Sequence, residues 1–137
     1  MPQQIEHIDA IARRKQRDAL YILFFEEYGG KQVLCDWREN KSRKLIIEWL
    51  DANGYSWSLC GGKANVNVMR SYRGSIYIDT PFDKNDPAYR VLETFLENAD
   101  GTMRFPEMTF CVITLDNAME NAHHDEPGFW ENWADNF

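Results

Sequence analysis

The sequence is poor in cysteine. Cys35, Cys60 and Cys111 are odd in number and widely spaced, and no CxxC pair occurs among the 137 residues. That pattern is typical neither of a disulfide framework nor of a cysteine-based zinc site. Each cysteine lies in an apolar stretch, where a small thiol packs as a hydrophobic side chain. We therefore predict structural cysteines in a reducing, cytoplasmic compartment, and no cofactor.

Long apolar runs are also missing. The longest covers residues 19–25, whereas a membrane span needs about 20 residues. The N-terminal residues lack the basic flank and apolar stretch of a signal peptide. The chain nevertheless contains 44% hydrophobic and 14% aromatic residues, which excludes disorder along its whole length. We expect one soluble, cytoplasmic domain with no membrane contact.

Signatures of catalysis are absent as well. The sequence contains no GxSxG, HExxH or glycine-rich phosphate-binding motif, each of which places reactive groups at a fixed spacing. Asp79, Thr80 and Asp83 follow a predicted strand, in a loop position that often carries functional groups. No nucleophile–base pattern accompanies them. The sequence therefore favours a binding protein over an enzyme.

Basic residues are scarce in the last part of the chain. Residues 101–137 contain seven acidic residues and one basic residue, Arg104, and the whole chain has a net charge of −7. This balance argues against a general affinity for phosphate backbones, which requires a basic surface. A local basic face remains as an alternative, a nucleic-acid-associated module. Its candidate residues are Arg13, Arg14, Lys15, Arg17, Lys41, Arg43 and Lys44.

Helical and strand periodicities alternate along the chain. Asp86-Pro87 is the clearest helix start, because Asp is a good cap and Pro is preferred at the first helical position. A second helix begins at Asn40 or Ser42 and ends at Asn53-Gly54. The helix that begins at Asp86-Pro87 is predicted to continue to residue 99. The other predicted elements are helix 3–17 and strands 19–27, 55–60, 75–79 and 108–115, with optional strands 32–37 and 65–69.

The core order β-α-β-β-α-β resembles the ferredoxin-like split βαβ topology. The resemblance implies an antiparallel sheet with both core helices on one face. We predict an α+β domain over residues 1–115, with an extra N-terminal helix in residues 1–18. An acidic tail over residues 116–137 should end in a short aromatic helix and pack on this domain. The predicted core consists of Leu23, Phe25, Leu45, Ile46, Trp49, Leu50, Ile76, Ile78, Leu92, Phe95, Phe110 and Val112.

Four aromatic residues crowd the C-terminus. Phe129, Trp133 and Phe137 recur at helical spacing, with Trp130 beside the first of them, and such a stripe must be covered. It packs either on its own domain or on a protein partner or a second copy. The predicted partner-binding residues are Phe129, Trp130, Trp133, Phe137, Glu131 and Asp135.

His123 and His124, followed by Asp125 and Glu126, form the densest set of potential metal ligands. A metal-dependent hydrolase is therefore a third hypothesis. The first hypothesis remains a small acidic binding or regulatory protein that acts through protein–protein contact. Inhibitor and immunity proteins fit that description by physical analogy, because complementary charge speeds association with a basic partner.

Overall fold

The computed structural model describes residues 5–28, 31–33, 38, 40–61, 72 and 74–128. Within these residues the chain forms four α-helices, six strands and a short 3-10 helix. In chain order they are α1 (Ile8–Lys15), β1 (Ala19–Phe24), β2 (Glu26–Tyr28), β3 (Lys31–Val33), α2 (Lys41–Ala52), β4 (Trp57–Leu59), β5 (Ile76–Ile78), α3 (Pro87–Leu96), β6 (Met108–Ile113), α4 (Leu115–Met119) and the 3-10 helix (Ala122–Asp125).

Four of the strands form one antiparallel sheet in the order β4-β5-β1-β6. Tyr21 marks its centre, since it lies opposite Tyr77 of β5 and Cys111 of β6. Strands β2 and β3 pair with each other as a separate two-stranded sheet. The predicted α+β class is confirmed. No helix in the described parts of the chain is long and apolar enough to cross a membrane.

The two faces of the sheet are covered by different helices. Leu20, Ile22 and Phe24 point to one face, because side chains alternate along a strand, and there they pack with α2 and α3. Ala19 and Tyr21 belong to the second face, where they pack with α1 and α4. The N-terminal helix and the segment after β6 therefore form a layer of their own.

Local capping explains where α2 and α3 begin. The Asn40 side chain accepts a hydrogen bond from the Arg43 amide at 2.9 Å, and Asp86 accepts one from the Ala88 amide at 2.8 Å. Both residues satisfy amides that the first helical turn leaves without a partner. Pro87 occupies the first turn of α3, as predicted.

The burial of β1 differs from the prediction by one residue. Leu23 and Phe25 were expected in the core, but both are half-buried, while Leu20, Ile22 and Phe24 are buried. Residues 19–25 are apolar without interruption, so their sequence contains no period-2 signal that selects a face. Pairing with β5 and β6 makes that selection instead.

Two other predicted core residues are exposed. Leu45 is 54% exposed, because the buried side of α2 carries Ser42, Ile46 and Leu50, and Leu45 lies about 100° around the helix from Ile46. Val112 is 37% exposed on β6, which pairs with one strand, β1, among the described residues. The prediction is confirmed for the fully buried residues Ile46, Leu50, Ile76, Ile78 and Leu92.

Cys60 packs in the cluster of the second face as a buried apolar side chain. Burial raises the pKa of its thiol to about 12, so the reactive thiolate is suppressed at neutral pH. Cys111 is half-buried, and both residues are free thiols. Cys35, most of the optional strand 32–37 and the whole of strand 65–69 lie outside the described residues.

Candidate functional site

Arg13 joins α1 to the segment after β6. It is 4% exposed, and its guanidinium donates to Asp9 at 3.1 Å, to the Ala118 carbonyl at 2.9 Å and to Asp125 at 2.8 and 3.0 Å. Asn121 donates to the same Asp9 carboxylate at 2.8 Å. These contacts form a polar cluster, buried at Arg13 and Asp9 and exposed at Asp125, that connects α4 and the 3-10 helix to α1.

The other cations of the predicted nucleic-acid face divide into two groups. Arg14 pairs with Glu6 at 2.9 Å, and Lys15 and Arg17 both pair with Asp79. Each of these three cations therefore has a carboxylate partner, and Asp79 is shared by two of them. In the second group, Lys41 and Lys44 are exposed on α2, and Arg43 donates to the Gly74 carbonyl and the Tyr72 hydroxyl. The nucleic-acid interface stays a prediction.

The two histidines proposed as metal ligands have different surroundings. His123 is exposed and His124 is buried, with their ring centroids 4.3 Å apart. In the part of the chain that the structure describes, no three His, Cys, Asp or Glu side chains gather as a set that could hold a metal ion. A metal site at His123 and His124 therefore stays a prediction.

Stability should depend on the protonation of His124. Burial lowers its pKa from the usual 6.5, and the neighbouring His123 lowers it further. The unfolded chain therefore binds a proton at His124 more readily than the folded chain does. The stability that depends on neutral His124 is therefore fully present above about pH 6.5 and decreases as the pH falls below that value. Urea unfolding should give a lower free energy of unfolding at pH 5 than at pH 7. The His124→Gln variant should show a smaller difference between the two pH values. An equal pH dependence in the variant would contradict the assignment.

An open cleft of about 360 Å³ lies where three elements meet: the end of α2, the end of β5 and the start of α3. Its position follows from the fold, because the chain reverses direction at each of these ends. The described residues that line it are Asn53, Gly54, Tyr55, Ser56, Asp79, Thr80, Pro81, Ala88 and Val91.

The walls of the cleft are fixed by hydrogen bonds between the elements. Gly54 ends α2 with a φ of +77°, a conformation that favours glycine. The Tyr55 hydroxyl donates to the Ala88 carbonyl at 2.7 Å, which joins this turn to α3. The Asp79 amide donates to the Ser56 carbonyl at 2.9 Å. These hydrogen bonds connect the segments that line the cleft.

Apolar surface is exposed at the same place. Val91, which lines the cleft, is 52% exposed, and Phe82, next to the lining residue Pro81, is 40% exposed. The Phe82 ring contacts the Tyr89 ring edge-to-face, with 5.3 Å between centroids. Val91 therefore adds an exposed aliphatic side chain to the cleft, and Phe82 adds an exposed ring one position along the chain from Pro81.

The charged residue of the described lining is Asp79. Tyr77 donates a hydrogen bond to Asp79, the largest of the effects that lower the pKa of this carboxyl, and the nearby cations Lys15 and Arg17 also lower it. Asp79 is therefore ionised and shared by two cations. Burial raises the pKa of the Tyr55 hydroxyl, and the nearby Asp86 carboxylate raises it further, so this hydroxyl stays protonated at neutral pH.

The described lining of the cleft combines polar and apolar groups. The described lining contains one carboxylate and the hydroxyls of Tyr55, Ser56 and Thr80, but no cysteine or histidine. No hydroxyl there is hydrogen-bonded to a base that could activate it as a nucleophile in the described contacts, since Tyr55 donates to a backbone carbonyl. The cleft therefore provides shape, apolar surface and charge.

No family model, no curated protein and no solved structure matches this chain. Its function has to be inferred from its own residues.

The sequence indicated part of this site. Asp79 and Thr80 stood out as residues at a strand end, but Tyr55 and Val91 belong to distant segments and no motif connects them. The sequence does contain a sign that Val91 is exposed. This apolar residue lies off the apolar stripe of α3 that contains Leu92 and Leu96. The predicted partner-binding residues Phe129, Trp130, Trp133, Phe137, Glu131 and Asp135 lie outside the described residues.

Proposed function

We propose that this protein is a small acidic binding or regulatory protein that recognises another protein through the cleft between α2, β5 and α3. The observation that carries the proposal is the exposure of Val91 and Phe82 beside a cleft whose walls are already fixed. Apolar side chains at a preformed concave surface are typical of recognition sites. Binding there also costs little ordering of the site.

A protein partner fits this surface better than a nucleic acid. The net charge of the chain is −7, which argues against a general affinity for phosphate backbones. Lys15 and Arg17 both pair with Asp79, which lines the cleft, so neither cation is free of a carboxylate partner. A partner with basic surface would be attracted and oriented.

We also propose that the domain has a ferredoxin-like sheet. The strand order supports this: β5 lies between β1 and β4, the two strands that α2 connects, and all neighbours are antiparallel. The fold by itself does not determine a function, because such domains serve as enzymes, RNA binders and interaction modules. The free thiols of Cys60 and Cys111 support a reducing location such as the cytoplasm.

Site-specific photo-cross-linking tests the proposed function. A photo-reactive amino acid at position 91 should capture one defined protein in cells of the source organism, because the side chain there lines the cleft. Position 45 provides the matched control: Leu45 is 54% exposed on α2, about 12 Å along the helix from Asn53.

The purified partner then allows a quantitative test. Val91→Ser should weaken its binding about tenfold, whereas Leu45→Ser should leave binding unchanged, because one buried aliphatic contact contributes about 1–2 kcal/mol. Capture of the same proteins from both positions, or equal affinities of both variants, would show that the cleft is not the binding surface.

A further inference from the structure

We propose that β6 pairs with β6 of a second copy of the chain, in antiparallel orientation around a two-fold axis at Val112. This pairing would join the sheets of the two copies edge to edge. β6 ends the strand order β4-β5-β1-β6 and pairs with β1 among the described strands. An edge strand exposes backbone groups that another strand can bind. β6 contributes none of the described residues that line the cleft, so the proposal is independent of the function proposed above.

The ladder between β6 and β1 shows which backbone groups of β6 face outward. The Phe25 amide donates to the Glu107 carbonyl at 3.1 Å, in register with this ladder. Hydrogen-bonded and non-hydrogen-bonded pairs alternate along an antiparallel ladder. Glu107 and every second residue after it therefore bond to β1. Phe110 and Val112 fall between them, so their N–H and C=O groups point away from β1.

Neighbouring segments limit the open part of this edge to the residues around Val112. On one side, the outward Phe110 amide donates to the Met103 Sδ atom at 3.3 Å. On the other side, the Thr114 carbonyl accepts the Ala118 amide at 2.9 Å, where the chain turns into α4. Val112 lies between them and is 37% exposed. Within the described parts of the chain, no contact occupies its outward N–H or C=O.

This short edge is complementary to itself. When the Val112 residues of two copies lie opposite each other, each N–H can donate to the other C=O, as in any hydrogen-bonded antiparallel pair. In that register Phe110 lies opposite Thr114 of the second copy. The position that Met103 covers therefore meets the position where the second chain turns away into α4. A longer foreign strand would continue past this point and meet Met103.

The side chains of β6 also permit pairing with an identical strand. Residues 108–113 contain no charged residue, proline or glycine, although 27% of the whole chain is charged. Edge strands often carry charged residues or proline, which prevent edge-to-edge pairing. A two-fold axis brings like side chains together, so a charge at its centre would repel its copy. At Val112 two apolar side chains would meet instead. The net charge of −7 opposes association at longer range, and physiological salt screens this repulsion beyond about 8 Å.

The opposite edge of the sheet provides a matched control. β4 covers three residues, and the chain before α1 already pairs beyond its end. There the Gly61 amide donates to the Glu6 carbonyl at 2.8 Å, and the Ile8 amide donates to the Gly61 carbonyl at 3.0 Å. Leu59, the last residue of β4, is 40% exposed. It therefore resembles Val112 in side-chain type and exposure but lies at the other edge.

Analytical ultracentrifugation of the full chain at physiological salt tests the proposal. A short edge pairing buries little area, so we expect a reversible dimer with a dissociation constant on the order of 10–100 μM. Val112→Lys should weaken dimerisation about tenfold, because it removes apolar contact and places two like charges opposite each other. Leu59→Lys should leave dimerisation unchanged. A chain that stays monomeric at about 1 mM, or equal effects of the two variants, would overturn the proposal.

Disulfide formation tests the register. Directly opposite residues of a hydrogen-bonded pair have Cα atoms about 5.5 Å apart, a separation that a disulfide can span. In a background with Cys35→Ser and Cys111→Ser, Val112→Cys should therefore form a covalent dimer on mild oxidation, whereas Leu59→Cys should not. Equal cross-linking at the two positions, or none at position 112, would contradict the proposal. Val112→Cys introduces no charge, so this experiment decides the question if thermal melts show that Val112→Lys impairs folding.

Discussion

Replacement of Arg13 by methionine should lower the free energy of unfolding by about 3–5 kcal/mol, the cost of breaking a buried ion pair by removing one partner. Asp9 is fully buried, and without Arg13 its carboxylate would lose its cationic partner while it keeps the hydrogen bond from the Asn121 amide. Asp125 would lose a two-bond contact with the same guanidinium. Methionine keeps much of the aliphatic volume of arginine. The decrease in the free energy of unfolding would therefore come mainly from the lost charge and hydrogen bonds.

The same substitution should loosen the segment after β6. Arg13 connects α1 with the Ala118 carbonyl of α4 and with Asp125 of the 3-10 helix, so amide hydrogen exchange in residues 115–128 should become faster than in β1. Urea denaturation gives the change in stability. Arg14→Met is the control, because its pair with Glu6 is exposed, and such pairs contribute about 0–1 kcal/mol.

A double variant separates the buried charge from the lost contacts. Asp9→Asn combined with Arg13→Met removes both members of the pair and should recover part of the stability, since no buried charge is then left alone. Equal stability losses in Arg13→Met and Arg14→Met would show that the cluster does not hold the two segments together.

Leu92→Ala should lower the free energy of unfolding by about 2–5 kcal/mol. Leu92 is fully buried in the cluster that joins α2, α3 and the first face of the sheet. Truncation removes apolar contacts and leaves a cavity whose size depends on how far the neighbours relax. Chemical denaturation of the variant measures the loss.

The adjacent residue provides the control for this prediction. Val91 belongs to the same helix but is 52% exposed, so Val91→Ala should change stability by at most about 0.5 kcal/mol. A large loss of stability in Leu92→Ala and a small one in Val91→Ala would show that α3 is oriented with Leu92 towards the core. Similar losses for both variants would mean that the buried side of this helix is assigned wrongly.

The sequence alone determined the start of α3 and the end of α2. Asp86, Pro87 and Gly54 act through their own backbone geometry and through amides two residues away, so these signals are local and can be recognised without knowledge of the fold. The order of helical and strand periodicities likewise predicted the α+β class, and the residue counts gave an acidic chain. Such properties depend on short stretches or on totals, which tertiary contacts do not alter.

Only the tertiary structure decided which side of β1 is buried and where the cleft lies. An uninterrupted apolar run has no preferred face until its neighbours in the sheet are fixed, which is why Leu20 and Ile22 are buried rather than Leu23 and Phe25. Arg13 meets Asp125 across 112 positions of sequence, and Tyr55 meets Ala88 across 33. Contacts over such separations depend on the packing of whole elements, and local sequence patterns carry no information about them.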